Sequence, residues 1–236
     1  MKNRNYLIVN IVIAVVVSVL NYFYQSLNFN FVLKCITSGL FALLAIFNLT
    51  YFIHSGLNKK DIKYPLFMVL GAVFCFLGDA FINNYFIIGV VLFALGHVFY
   101  VGGYFALEKF KLLDLIIGLG LGLVTGGFVL ICPYLSFEAP VLKVACVVYA
   151  LILSFMVGKT VSDFITKHDT INLLLMIGAI LFLISDLCLL ICWFWYVKVP
   201  RAFNYTCMAV YYPSNLIFAY TIYHYLKTKT NTGKGE

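Results

Sequence analysis

Two aspartates interrupt long apolar stretches of the chain, Asp79 in GAVFCFLGD and Asp186 in GAILFLISD. An ionisable side chain at the centre of a bilayer costs about 2.5–3.5 kcal/mol on insertion scales, so each needs a partner or a purpose. Two carboxylates sharing one low-dielectric site cannot both ionise cheaply, which leaves one to hold a proton while the other stays an anion. Such a pair can do acid and base work, or it can bind a proton or a cation. Other polar groups fall within reach: His97 and Tyr100, one helical turn apart on one face, then Tyr149, Ser185, and the Tyr211, Tyr212, Asn215 group around Pro213. Pro213 removes one backbone hydrogen bond from its helix. Lys34 and Lys143 each lie a few residues into a helix and are expected at the rim of the pocket.

The elements that must carry these residues follow from composition. The chain is 64% hydrophobic and 11% charged, with a mean hydropathy of +1.01, which leaves too little polar surface to cover a water-soluble globule. Apolar runs predict spans near 6–26, 31–54, 65–83, 85–106, 112–131, 140–161, 171–193 and 202–226. Continuous rather than alternating runs mean helices and not a β-barrel. The predicted fold is therefore all-α, an eight-transmembrane-helix bundle forming one integral membrane domain over 1–236, with a short cytoplasmic tail at 227–236.

The charges orient that bundle. Lys2 and Arg4, Lys59, Lys60 and Lys63, Lys109 and Lys111, Lys159 and Lys167, and the tail lysines 227, 229 and 234 all fall on the side of the termini. The opposite side has Lys198 and Arg201, with Lys34 and Lys143 just inside two helix starts. The positive-inside rule then puts both termini in the cytoplasm. The membrane is a plasma or inner membrane if the source is bacterial and that of the endoplasmic reticulum if it is not. These end-of-span positions exclude a nucleic-acid surface. The seven cysteines sit mostly in apolar segments and read as small hydrophobes. Asp114 reads as a helix-start charge, and the glycines between Gly118 and Gly127 as close helix packing.

The two aspartate segments align at an offset of 107 residues, and Lys34 and Lys143 lie at nearly the same spacing. Each half holds four spans, so the reading is of two parallel repeats, about 6–106 and 112–226. Asp79 lies 14 residues after Pro65 and Asp186 lies 15 after Ile171; at 1.5 Å per residue both are about 21–23 Å across the membrane, facing one another over a pseudo-two-fold axis.

The ordered set YPLFMVLGAVFCFLGDAFI, GVVLFALGHVFYVGGYF, IGAILFLISDLCLLICWFW and YYPSNLIFAY resembles the lysoplasmalogenase family of YhhN-like membrane proteins. The resemblance implies an eight-span hydrolase that cleaves the vinyl-ether bond of lysoplasmalogens to a fatty aldehyde and a glycerophospho-alcohol. It implies Asp79 and Asp186 as the acidic pair, with His97, Tyr100, Ser185 and Tyr212 as polar partners. The chain departs from the pattern at Cys35, which follows Lys34 where a proline is expected. Protonation at carbon gives an oxocarbenium ion that water captures, so an acid and an anion are needed together. His97 and Tyr100 are expected to orient a carboxylate or the water, and Lys34 to attract the lipid phosphate. No cofactor or metal is implied. On the residues alone a lipid or proton-coupled transporter or binding protein fits as well. A metal-dependent lipid amidase of the ceramidase type is a further alternative, although only one histidine lies at membrane depth where zinc usually takes three ligands.

Overall fold

The computed structural model describes residues 2–27, 30–55 and 57–232, so Lys234 of the tail lies outside the described residues. Eight long helices follow one another: α1 (Lys2–Ser26), α2 (Phe31–Ser55), α3 (Lys63–Phe81), α4 (Phe86–Leu107), α5 (Leu112–Ile131), α6 (Pro140–Thr166), α7 (Thr170–Phe194) and α8 (Arg201–Thr232). A single 3-10 turn at Lys59–Ile62 leads into α3. Seven of the eight, α1 to α7, are long and apolar enough to cross a membrane, and the chain is a multi-pass membrane protein. The eighth is diluted by asparagines, threonines, tyrosines and lysines. Its polar residues Ser214, Asn215 and Thr221 are nevertheless buried within the bundle, as expected where polar side chains join helices that have no hydrophobic force between them.

Polar stitches fix the order of packing. Asn10 of α1 and Asn48 of α2 exchange reciprocal amide hydrogen bonds of 2.8 and 2.9 Å, and Asn48 also donates to the Ala219 carbonyl of α8 at 2.8 Å. Tyr64 of α3 donates to Thr221 of α8 at 2.7 Å, and Ser214 of α8 to the Gly178 carbonyl of α7 at 2.8 Å. Tyr6 stacks near Tyr223 at 6.0 Å between ring centroids, so the two termini share one end of the bundle. We refer to the other as the far end.

At the terminal end, α5 and α6 enclose a charge network. The Asp114 carboxylate accepts from the Lys111 backbone N–H at 2.9 Å, the helix-start role read from sequence. The fully buried Lys159 lies 3.3 Å from Asp114 and donates to Asp163 at 2.7 Å, which also receives Lys111 at 3.0 Å. Two lysines and two aspartates balance, and this compensation lets α6 run on to Thr166 beyond the apolar limit near 161. Similarly, α8 continues through 227–232, where Lys227 and Lys229 lie over the Tyr223 and Tyr225 rings.

At the far end, the loop between α5 and α6 is strapped to the one between α7 and α8. Ser136 N–H donates to the Phe194 carbonyl at 2.8 Å and Tyr196 N–H to the Tyr134 carbonyl at 3.0 Å, flanking an isolated Leu135–Trp195 bridge.

Of the glycine run in α5, Gly118 and Gly122 meet α6, whereas Gly120 and Gly127 face open space. The tightest crossing is Gly118 with Gly158, where a Cβ on Gly158 would stand 2.4 Å from the Gly118 backbone nitrogen. Backbone cannot yield there as a flexible side chain can. Gly158→Leu should cost about 1–3 kcal/mol or more by overpacking, read as a lowered thermal midpoint in detergent, while Gly127→Leu should leave the midpoint within a degree or two of wild type.

Candidate functional site

Asp79 occupies the last turn of α3, and three groups converge on it from two other helices. Lys34 of α2 places Nζ 3.2 Å from Oδ1. Ser38, one turn further along the same face of α2, donates to Oδ2 at 2.5 Å, and Tyr211 of α8 donates to the same oxygen at 2.7 Å. Lys34 and Asp79 are both at least 95% buried. The ammonium compensates the carboxylate charge, and both oxygens are engaged.

Asp186 lies eight residues before the end of α7 and is held differently. The Tyr149 hydroxyl of α6 donates to Oδ2, and His97 Nε2 of α4 lies 3.6 Å from that oxygen and 2.8 Å from the Tyr149 oxygen. Because the Tyr149 proton is spent on Asp186, Nε2 must be the donor to Tyr149, which leaves Nδ1 of a neutral His97 as an acceptor. His97 is fully buried, and Nδ1 has no hydrogen-bond partner among the described residues. The ring stands edge-on to Phe182 at 4.6 Å between centroids. No hydrogen bond reaches Asp186 Oδ1 among the described residues, and the side chain keeps 10% exposure, toward a cleft.

That cleft is small, about 10 Å³, and is lined by Lys34, Asp79, Ser185, Asp186, Cys207 and Tyr211, with apolar walls from Ile82, Phe93, Leu189 and Met208. The two aspartates, 107 residues apart in sequence, thus face one small cavity. A second cavity, of about 60 Å³ and almost wholly apolar, adjoins it at Asp186 and at the shared walls Ile82, Phe93 and Leu189. The arrangement offers a compensated anion, a carboxyl group with one free oxygen, and an apolar volume on the far side of that carboxyl.

The remaining sequence candidates divide. Ser185 lines the cleft, its hydroxyl 3.4 Å from the Cys207 sulfur. Tyr100 reaches neither aspartate: its hydroxyl donates to Asn215 Oδ1 at 3.1 Å, and Asn215 donates back to the Tyr211 carbonyl at 3.1 Å. This corrects the expectation that Tyr100 orients a carboxylate. Tyr100 and Asn215 join α4 to α8 and support the residue that does so. The α8 hydroxyl bound to Asp79 is that of Tyr211; Tyr212, 100° further round the helix, packs against Tyr211 and Phe41 with its buried hydroxyl unpartnered among the described residues. Lys34 is inside the cleft rather than at its rim. Lys143 is excluded from it and donates to the Leu130 carbonyl at 2.8 Å. Ser38 and Cys207 are additions, and only the i, i+4 spacing from Lys34 could have pointed to Ser38. Among the described residues no group of three His, Cys, Asp or Glu side chains gathers as a metal site, and all seven cysteines are free thiols.

The model of the YhhN family matches residues 29–222, most of the chain. The chain belongs to the YhhN family. The match runs from the start of α2 to within α8 and so contains every residue around the two cavities. No curated protein and no solved structure matches. For this YhhN protein, therefore, the geometry of the cleft carries the functional argument.

The Lys34–Asp79 pair can be separated from general packing. Lys34→Met leaves a buried uncompensated carboxylate and should destabilise by about 3–5 kcal/mol. Adding Asp79→Asn should recover most of the loss, measured as thermal midpoints of the two single variants and the double variant in detergent.

Proposed function

We propose that this YhhN protein is a membrane-embedded hydrolase that cleaves the vinyl-ether bond of lysoplasmalogens, releasing a fatty aldehyde and a glycerophospho-alcohol. The reading is supported by the family and, above all, by one observation: Asp79 and Asp186 line the same cleft, one fully compensated and the other with a free oxygen.

In this reading Asp186 acts through Oδ1. As the acid it delivers a proton to the vinyl carbon remote from the ether oxygen, leaving an oxocarbenium ion at the adjacent carbon. Asp79 is the anion across the cleft from that cation, held in place by Lys34, Ser38 and Tyr211. Water then adds to the cation and gives its proton to the Asp186 carboxylate, restoring the acid. The hemiacetal so formed collapses by transferring its hydroxyl proton to the glycerol oxygen as the carbon–oxygen bond breaks. Carboxylate pairs handle oxocarbenium-like transition states in the same manner in glycosidases. His97 and Tyr149 position Asp186 and spread the negative charge that appears when the proton leaves. Lys34 also faces the cleft, where it can meet the substrate phosphate. The partners are then a lysophospholipid substrate and the surrounding membrane lipid, with no cofactor called for.

The accompanying topology is eight spans, α8 included, with both termini cytoplasmic and the cleft near the opposite face. Two parallel four-helix repeats fit the way each aspartate is held. Asp79 on the third helix of its half is met by the second helix of the same half and the fourth of the other. Asp186 on α7 is met in turn by α6 and α4.

Purified protein incubated with a lysoplasmalogen should release free aldehyde. Asp79→Asn and Asp186→Asn should each abolish that release while the protein still extracts as a monodisperse species. Activity above about a tenth of wild type in either variant defeats the catalytic pair. Movement of the lipid across reconstituted vesicles with no aldehyde formed would favour a transporter instead.

A further inference from the structure

The apolar cavity beside Asp186 is larger than the polar cleft and takes no part in the proton chemistry. It lies among α4, α5, α6 and α7, walled by Val90, Val129, Ala150, Leu153, Leu183 and Leu190. Its wall has few polar groups. Tyr149 is bound to Asp186, and the Thr125 hydroxyl is tied to Leu121 and Ser154 at 3.0 and 2.8 Å. An apolar cavity of this kind has little to hold water and favours hydrocarbon. Its far end is closed by aromatic rings, with Phe86 set against Trp193 and Phe194 at 4.9 and 5.2 Å between centroids.

The position of Asp186 decides what kind of molecule fits. The aspartate opens onto the polar cleft on one side, where Lys34 and Asp79 stand, and onto the apolar cavity on the other. A molecule spanning both has a charged or hydroxylated head, an unbranched chain, and its head-to-chain junction at the carboxyl. Leu183 lies one turn from Asp186 toward the terminal end and Phe194 two turns toward the far end, so the cavity extends in both directions along α7 and has a fixed extent.

We propose that this cavity seats the hydrocarbon chain of a single-chain amphiphile, and that Ala150 and Leu153 set the chain length it accepts. The proposal deepens the hydrolase reading and rests on it for the substrate class, but chain binding itself requires no bond cleavage. Ala150 is the smallest side chain on the wall and sits beside Tyr149 on α6. Enlarging it shortens the cavity, and trimming Leu153 lengthens it.

The probe is a saturated 1-O-alkyl lysophospholipid carrying a diazirine on its chain, which has no vinyl ether and cannot be cleaved. Photolysis with the detergent-purified protein should label cavity residues such as Leu153 and Leu190. An excess of the unlabelled long-chain analogue should suppress the label. Ala150→Phe should reduce labelling by an 18-carbon probe about tenfold relative to a 10-carbon one, and Leu153→Ala should shift the preference toward longer chains. Labelling confined to lipid-facing residues such as Val15 and Leu123, or a chain-length preference that neither variant moves, overturns the proposal. Cavity labelling by the analogue together with no aldehyde from a lysoplasmalogen would uphold the chain site and reject the hydrolase reading.

Discussion

A carboxylate inside a bilayer must be compensated, and the Lys34–Asp79 ion pair is how this bundle meets that constraint at its site. Separating two such charges in a medium of low dielectric is expensive, so the pair pins α2 to α3 at the far end of the bundle. Ser38 and Tyr211 add neutral donors to the same carboxylate, which brings α8 into the same joint. The helix with the weakest apolar character is thereby drawn to the middle of the molecule, where its tyrosines, Ser214 and Asn215 are buried.

The second aspartate solves the same problem with neutral partners. Tyr149 donates to it and His97 donates to Tyr149, neither neutralising the carboxyl, and the two come from α6 and α4 as the partners of Asp79 come from α2 and α8. The consequence is chemical asymmetry on a symmetric plan. One carboxylate is saturated by a cation and two hydroxyls, whereas the other keeps an oxygen that faces a cavity. Packing repeats part of the plan: Gly71 of α3 receives the Tyr100 ring of α4, and Gly178 of α7 receives the Phe218 ring of α8. His97 and Asn215 stand three residues before those rings, one beside an aspartate and the other bracing the opposite half.

How much of this was legible in the sequence follows from what each residue costs in lipid. Seven of the eight helices are long apolar runs, legible because only helices satisfy their own backbone in lipid. Asp79, Asp186, His97 and Lys34 stand out because an ionisable group at that depth is expensive and therefore rare. Ser38 does not stand out, since a lone serine in an apolar helix costs little and can satisfy itself against its own backbone. The exchange of Tyr212 for Tyr211, and the loss of Tyr100 and Lys143 from the set around the carboxylates, have another cause. Depth along a helix can be counted from sequence, but its rotation is set by packing. The apolar cavity was invisible for a related reason: residues that line it and residues that face lipid are of the same types, and the helices of this chain are apolar on nearly every side.

Charge alone does not mark the site, as the buried network between α5 and α6 makes plain. Lys159 and Asp114 are more deeply buried than Asp186, yet two lysines and two aspartates cancel there and the capping bond to Lys111 ties Asp114 into the start of α5. There the charges balance, although Asp114 Oδ1 has no hydrogen-bond partner among the described residues. Around the cleft, Asp186 has an oxygen and His97 a ring nitrogen without a hydrogen-bond partner among the described residues, and the compensated Lys34–Asp79 pair lines the same cleft. What sets Asp186 apart is that its carboxyl reaches two cavities, whereas Asp114 is fully buried and lines neither.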